Sequence, residues 1–114
     1  MGYRSDVGLA ITATALTELI EVNPDLSDKV KKCLSDADDH IKSEDGNHLF
    51  VWNDTKWYPF DDVVALERRL RSIGEGSFRF IRLGEDPSDV EESGCWYEND
   101  FNFGYIHQLT FDGC

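Results

Sequence analysis

Eight carboxylates follow Arg82: Glu85, Asp86, Asp89, Glu91, Glu92, Glu98, Asp100 and Asp112. The 32 residues after Arg82 contain no Lys or Arg, so eight acids against no bases give that segment a formal −8. Spaced carboxylates can stand in for a row of phosphates, because the lysines and arginines of a nucleic-acid groove recognise charge and spacing. Glu85, Asp86, Asp89, Glu91, Glu92, Glu98 and Asp100 are therefore the candidate partner-binding residues. The competing reading is a solvated acidic surface that aids solubility. A third use is a weak site for a hard cation in the spacing Asp86-x-x-Asp89-x-Glu91-Glu92.

A second acidic run holds Asp36, Asp38, Asp39, Glu44 and Asp45 against Lys42. Asp36-Ala37-Asp38-Asp39-His40 opens like a calcium loop, but Ile41 stands where the loop needs glycine and Asn47 where it needs glutamate. His40, His48 and His107 show no paired ligand spacing. Catalytic patterns are absent too. There is no GxSxG and no P-loop, and Gly74-Glu75-Gly76 precedes a strand pattern rather than a helix. The chain reads as non-enzymatic, with no cofactor and no metal expected.

The 114 residues suffice for one domain with one core. Hydrophobic residues at 40% and charged residues at 30% fit a globular chain rather than a disordered one. The formal charge of −12 repels phosphate, which argues against direct nucleic-acid binding and against anionic membrane. A basic protein surface is the favoured partner. Three widely spaced cysteines, Cys33, Cys95 and Cys114, without a CxxC, argue against a disulfide framework or structural zinc. With no apolar span or signal-peptide pattern, the expected setting is a reducing cytoplasm.

The elements that must position these residues follow from periodicity. Tyr3, Ser5, Val7, Leu9 and Ile11 alternate with polar or small residues, a strand with one buried face. Leu16, Leu19 and Ile20 follow at helical spacing behind Thr12 and Thr14, and Asn23-Pro24 ends that helix. Leu26, Val30, Cys33, Leu34, Ala37 and Ile41 form one helical stripe, stopped at Gly46. Residues 48–58 read as a hairpin turning at Asn53-Asp54, with Phe50, Trp52 and Trp57 on one face and Leu49 and Val51 on the other. Asp61 opens a helix with Val63, Leu66, Leu70 and Ile73 on one side, closed at Gly74. Ser77 to Leu83 is a strand, Asp89 to Ser93 a short helical turn, and Cys95–Tyr97 with Phe101–Phe111 a terminal hairpin. The order β-α(α)-β-β-α-β predicts a single α+β domain over residues 1–114, ferredoxin-like, mainly antiparallel, with an added C-terminal hairpin. Val7, Leu9 and Ile11 are expected to share a core with Leu34, Leu66 and Leu70, and the first and fourth strands to lie apart in the sheet. The aromatic face of Phe50, Trp52 and Trp57 is then either core, covered by the terminal hairpin, or a homodimer interface.

Gly2-Tyr3-Arg4-Ser5-Asp6-Val7, Lys56-Trp57-Tyr58 and Phe80-Ile81-Arg82-Leu83-Gly84-Glu85-Asp86 with Asp89-Val90-Glu91 resemble segments of small acidic proteins encoded by bacteriophages and prophages. The resemblance covers both ends of the core and its middle, with little over residues 13–45, and carries no catalytic residues. It implies a protein that binds and disables host machinery, including restriction and CRISPR nucleases. The expectation is an acidic phage-type inhibitor of a basic host protein, in the manner of a nucleic-acid mimic. The alternatives are a small-ligand or metal-binding module and a structural phage component. Arg4 or Arg82 is further expected to bind acids of the Glu85–Glu92 turn and pin it.

Overall fold

A computed structural model describes residues 4–21, 24–57, 61–86, 88–97, 99, 101, 103–105 and 109–110. Strand β1 (Ser5–Ile11) leads into helices α1 (Ala13–Ile20) and α2 (Pro24–Ser35). Strands β2 (Asp39–Lys42) and β3 (His48–Thr55) follow, then α3 (Asp61–Leu70), β4 (Phe78–Gly84) and β5 (Val90–Ser93). Short strands β6 (Gly104–Tyr105) and β7 (Leu109–Thr110) pair separately. The fold is α+β, with five antiparallel strands in the order β2-β3-β1-β4-β5. Strand β1 therefore pairs directly with β4, Ser5 against Gly84 and Ile11 against Phe78, where the sequence reading set them apart.

Alternation in β1 fills both faces of the sheet. Val7, Leu9 and Ile11 join Leu34, Leu66, Leu70, Phe50, Trp52, Phe78 and Phe80 in the larger core, under the helices. Thr12 caps α1, its Oγ1 accepting from the Ala15 N–H at 3.1 Å. Arg69 of α3 donates to the last carbonyls of α1, Glu18 at 2.6 Å and Leu19 at 3.3 Å, where the helix dipole favours a cation. The Trp52 indole donates to the Cys33 carbonyl at 3.1 Å, tying β3 to the end of α2.

The opposite face carries Ala10, Leu49, Val51 and Ile81, covered by Phe101 and Phe103. Gly8 lies beneath the Phe103 ring, and a Cβ there would stand 2.3 Å from Cζ. The C-terminal segment thus provides the second layer. Phe50 and Trp52 are buried within this chain, and Trp57 packs on the same core partly buried.

Four expectations need correction. Asn53-Asp54 is not a hairpin turn. Ser5 pairs with Thr55 and Val7 with Trp52, so Asp6 faces two residues of β3 in a bulge. Asp54 takes its positive φ of 49° there, and its N–H donates to Asp6 Oδ1 at 2.8 Å. The actual hairpin is β2–β3, through Gly46 at φ 86°. Strand β2 broke off the long helical stripe at Ser35; only Ile41 of its four residues is apolar, and a short polar edge strand leaves almost no period-two signal. Asp89–Ser93 is no helical turn, because Val90–Ser93 is edge strand β5 on β4. Cys95–Tyr97 is irregular, and the described part of the terminal hairpin is β6–β7.

Candidate functional site

The predicted acidic cluster does not stand as one open patch. Arg79 and Arg82 on β4 are each only 8% exposed. Arg82 donates to Asp89 at 2.7 and 3.2 Å, to Glu91 at 2.7 Å and to Ser5 at 3.0 Å. These hydrogen bonds, that to Asp89 above all, hold its guanidinium firmly charged. Arg79, on the other face, pairs with Glu92 beneath the Tyr97 ring, 4.8 Å from its centroid. The fork geometry of arginine suits such multiple acceptance. Asp89, Glu91 and Glu92 are thus engaged by the chain's own cations, and the expected pinning of the turn by Arg82 takes this form. Arg4 joins through its backbone N–H, which donates to Glu85 at 2.9 Å. Asp86 accepts from the Ser88 N–H and hydroxyl at 2.9 and 2.8 Å, and the backbone bond chiefly lowers its pKa. Glu98 and Asp100 lie outside the described residues. Among the described residues, no three His, Cys, Asp or Glu side chains group to hold a metal, so the cation spacing read along the chain does not converge.

The strand ends bring together acids that are remote in sequence. Strands β1 and β5 begin, and β3 and β4 end, at one end of the sheet, where β2 also begins. Asp38, Asp39, Asp54, Asp6, Glu85, Asp86 and Asp89 therefore line that single end. Several are fixed by donors: Asp38 by the Asn53 N–H at 2.6 Å, Asp6 by that of Asp54, Glu85 by that of Arg4. Arg4, Lys56 and Lys32 are exposed cations at or beside this end, and the Arg4 guanidinium donates to the Asp54 carbonyl at 3.0 Å. The sequence reading had Asp38 and Asp39 in an acidic run and a rejected calcium loop, on a stretch assigned to a helix, because β2 was not recognised.

The same hairpin assembles a histidine pair that spacing alone did not reveal. His40 Nε2 and His48 Nδ1 are 2.8 Å apart across β2 and β3. The rings stack at 5.0 Å between centroids, and His40 stacks on Phe50 at 4.2 Å. Burial chiefly lowers both imidazole pKa values; Lys42 adds to each, and His40 adds to that of His48. His107 lies outside the described residues.

A cavity of about 470 Å³ opens between α3 and the β4–β5 edge, with Leu70, Phe78 and Phe80 as floor and Glu67, Arg71 and Glu91 among its walls. Burial raises the Glu67 pKa, Glu91 raises it further, and Arg71 and Arg82 oppose. A second cavity of about 470 Å³, between α2 and the end of β3, is lined by Lys32, Cys33, Trp52 and Lys56. Neither cavity places a histidine beside a serine or cysteine.

No family model matches the chain, and no curated protein or solved structure matches it.

Proposed function

We propose that this chain is a non-enzymatic binding protein that docks the acidic end of its sheet on a basic, nucleic-acid-binding protein surface and blocks it. One observation carries this reading: seven carboxylates on or flanking the five strands share one sheet end, with Asp89 among them held by Arg82. With strands about 4.8 Å apart, five strands span roughly 19 Å. That is one carboxylate per roughly 3 Å, close to the one phosphate per about 3.4 Å of axis along a DNA strand. Donor-fixed carboxylates lose little freedom on docking, which favours binding. The site thus moves from the C-terminal run to the sheet end and keeps Glu85, Asp86 and Asp89 of the residues singled out from sequence.

The strand order β2-β3-β1-β4, with helical crossovers after β1 and β3, supports a ferredoxin-like reading to which β5 and the terminal segment are additions. The resemblance to phage-encoded proteins points to a host defence nuclease, of restriction or CRISPR type, as the target class, met in the bacterial cytoplasm.

The test is displacement of labelled duplex DNA from such nucleases by the purified chain. The native chain is expected to displace DNA, less well as salt rises. A variant with Asp38→Asn, Asp39→Asn, Asp54→Asn, Glu85→Gln and Asp86→Asn keeps the acceptor oxygens and is expected to fail. Equal displacement by native and variant chains rejects the acidic end as the docking surface, and displacement from no nuclease rejects the inhibitor reading.

A further inference from the structure

The β2–β3 hairpin holds two imidazole nitrogens of different strands 2.8 Å apart. We propose that His40 and His48 form a two-imidazole chelate for a divalent transition ion that takes right-angled donors, Cu²⁺ ahead of Ni²⁺ and Zn²⁺. This is independent of the acidic sheet end and its partner.

Coordination preference and the affinity order favour Cu²⁺. With metal–nitrogen bonds of about 2.0–2.1 Å, two donors at 90° stand about 2.9 Å apart, and two donors at a tetrahedral angle about 3.3 Å. The separation in the hairpin is 2.8 Å, a hydrogen-bond distance from which small ring rotations reach the right-angled case. Square-planar or tetragonal nitrogen sites are those of Cu²⁺ and Ni²⁺, and the affinity order of divalent ions peaks at Cu²⁺. The nitrogens now face one another in a hydrogen bond, so small ring rotations must turn both lone pairs toward the ion.

The site is partly built in advance. Hydrogen bonding of β2 to β3 fixes the two backbones, with Lys42 opposite His48 and His40 opposite Phe50. Stacking of His40 on Phe50, with ring planes 15° apart, restricts the ring. Each neutral ring carries one N–H. Whichever ring donates in the present hydrogen bond shifts that hydrogen to its other nitrogen, by exchange with water, when the ion takes its place. No net proton is released. Among the described residues no third His, Cys, Asp or Glu joins the pair, and the remaining positions are open to water. Lys42 is the nearby charge that opposes a cation, whereas the chain as a whole, at −12, attracts one.

The test is titration of the full chain with Cu²⁺ at neutral pH, read by calorimetry and by electron paramagnetic resonance at one equivalent. The expected result is one strong site whose spectrum shows two equatorial imidazole nitrogens. Losing a direct ligand costs at least as much as losing an outer hydrogen-bond partner, about 10–100-fold in affinity. His40→Gln and His48→Gln should each weaken binding by about that range, and His107→Gln should leave it unchanged. In the native chain, Zn²⁺ should shift the ring resonances of His40 and His48 before any others, a readout that needs no substitution. A spectrum with fewer than two imidazole nitrogens, unchanged affinity in both hairpin variants, or loss with His107→Gln overturns the proposal.

Discussion

Gly8→Ala should destabilise this protein although β1 is an ordinary extended strand. Alanine in a strand interior is normally better than glycine by about 0.5–1 kcal/mol, because glycine loses more freedom on folding. Here the added Cβ would stand 2.3 Å from Cζ and 2.6 Å from Cε1 of Phe103. The ring cannot simply slide aside. The Phe103 N–H donates to Asn99 Oδ1 at 2.8 Å, and Asn99, itself buried, also accepts from Phe101 and donates to the Trp96 carbonyl. Overpacking of this kind costs about 1–3 kcal/mol. The net expectation is a loss of about 1–2 kcal/mol, read from urea denaturation with an unchanged slope. Removing the ring reverses the sign. Phe103→Ala alone should cost about 3–5 kcal/mol, since the ring is buried. In that background Gly8→Ala should stabilise by about 0.5 kcal/mol, the strand preference without the clash. A stabilising Gly8→Ala in the native background, or the same loss with and without the Phe103 ring, would refute the placement of the C-terminal segment on this face.

Two further outcomes follow from the charged network. Arg82→Leu removes hydrogen bonds to Ser5, Asp89 and Glu91, but the carboxylate side chains are 35% and 55% exposed and can turn to water. The loss in urea should therefore be about 1–3 kcal/mol, below the 3–5 kcal/mol of a fully buried pair; no loss would show that the pairing is not populated in solution. Glu67 has a raised pKa in the folded state, so its stabilising contribution is present below the unfolded value and is lost as pH rises through the folded one. Glu67→Gln should thus raise the melting temperature at neutral pH, and the gain should shrink toward zero in acid; a gain of equal size at both pH values contradicts the shift.

How much of this was legible depended on how many faces of an element the core covers. Strand β1 announced itself because Val7, Leu9 and Ile11 are large and buried while the alternate positions are polar or small. The parity of Phe50 and Trp52 against Leu49 and Val51 was also correct, because it depends only on β3 being extended. Its turn was wrong, since a positive φ at Asp54 serves a bulge as well as a hairpin. Both edge strands were missed for one reason. Strands β2 and β5 are four residues each, mostly exposed, and their pairing energy is backbone hydrogen bonding, which leaves no mark on side-chain pattern. Once β2 was lost into a helix, the His40–His48 pair and the meeting of Asp38 and Asp39 with Asn53 could not be seen.

The acidic end of the sheet invites a purely structural explanation, because its carboxylates cap backbone N–H groups where strands begin and end. The opposite end of the same sheet tests that explanation. There the same work is done by neutral side chains. Asn47 accepts from the Ala13 N–H at 3.1 Å, Ser43 from the Asn47 N–H at 3.2 Å and Thr12 from the Ala15 N–H at 3.1 Å. Among the described residues three acids lie at that end, Glu44 and Asp45 in the β2–β3 turn and Glu75 in the short 3-10 helix before β4, together with Lys42. Neutral acceptors therefore suffice to cap this sheet, and like charges gathered at one end repel one another in the folded chain. Asp6, Asp38, Glu85 and Asp86 provide an acceptor that asparagine, serine or glutamine could provide without that repulsion. Backbone capping therefore does not account for their excess charge, and on the function proposed above a basic partner surface would recover its cost.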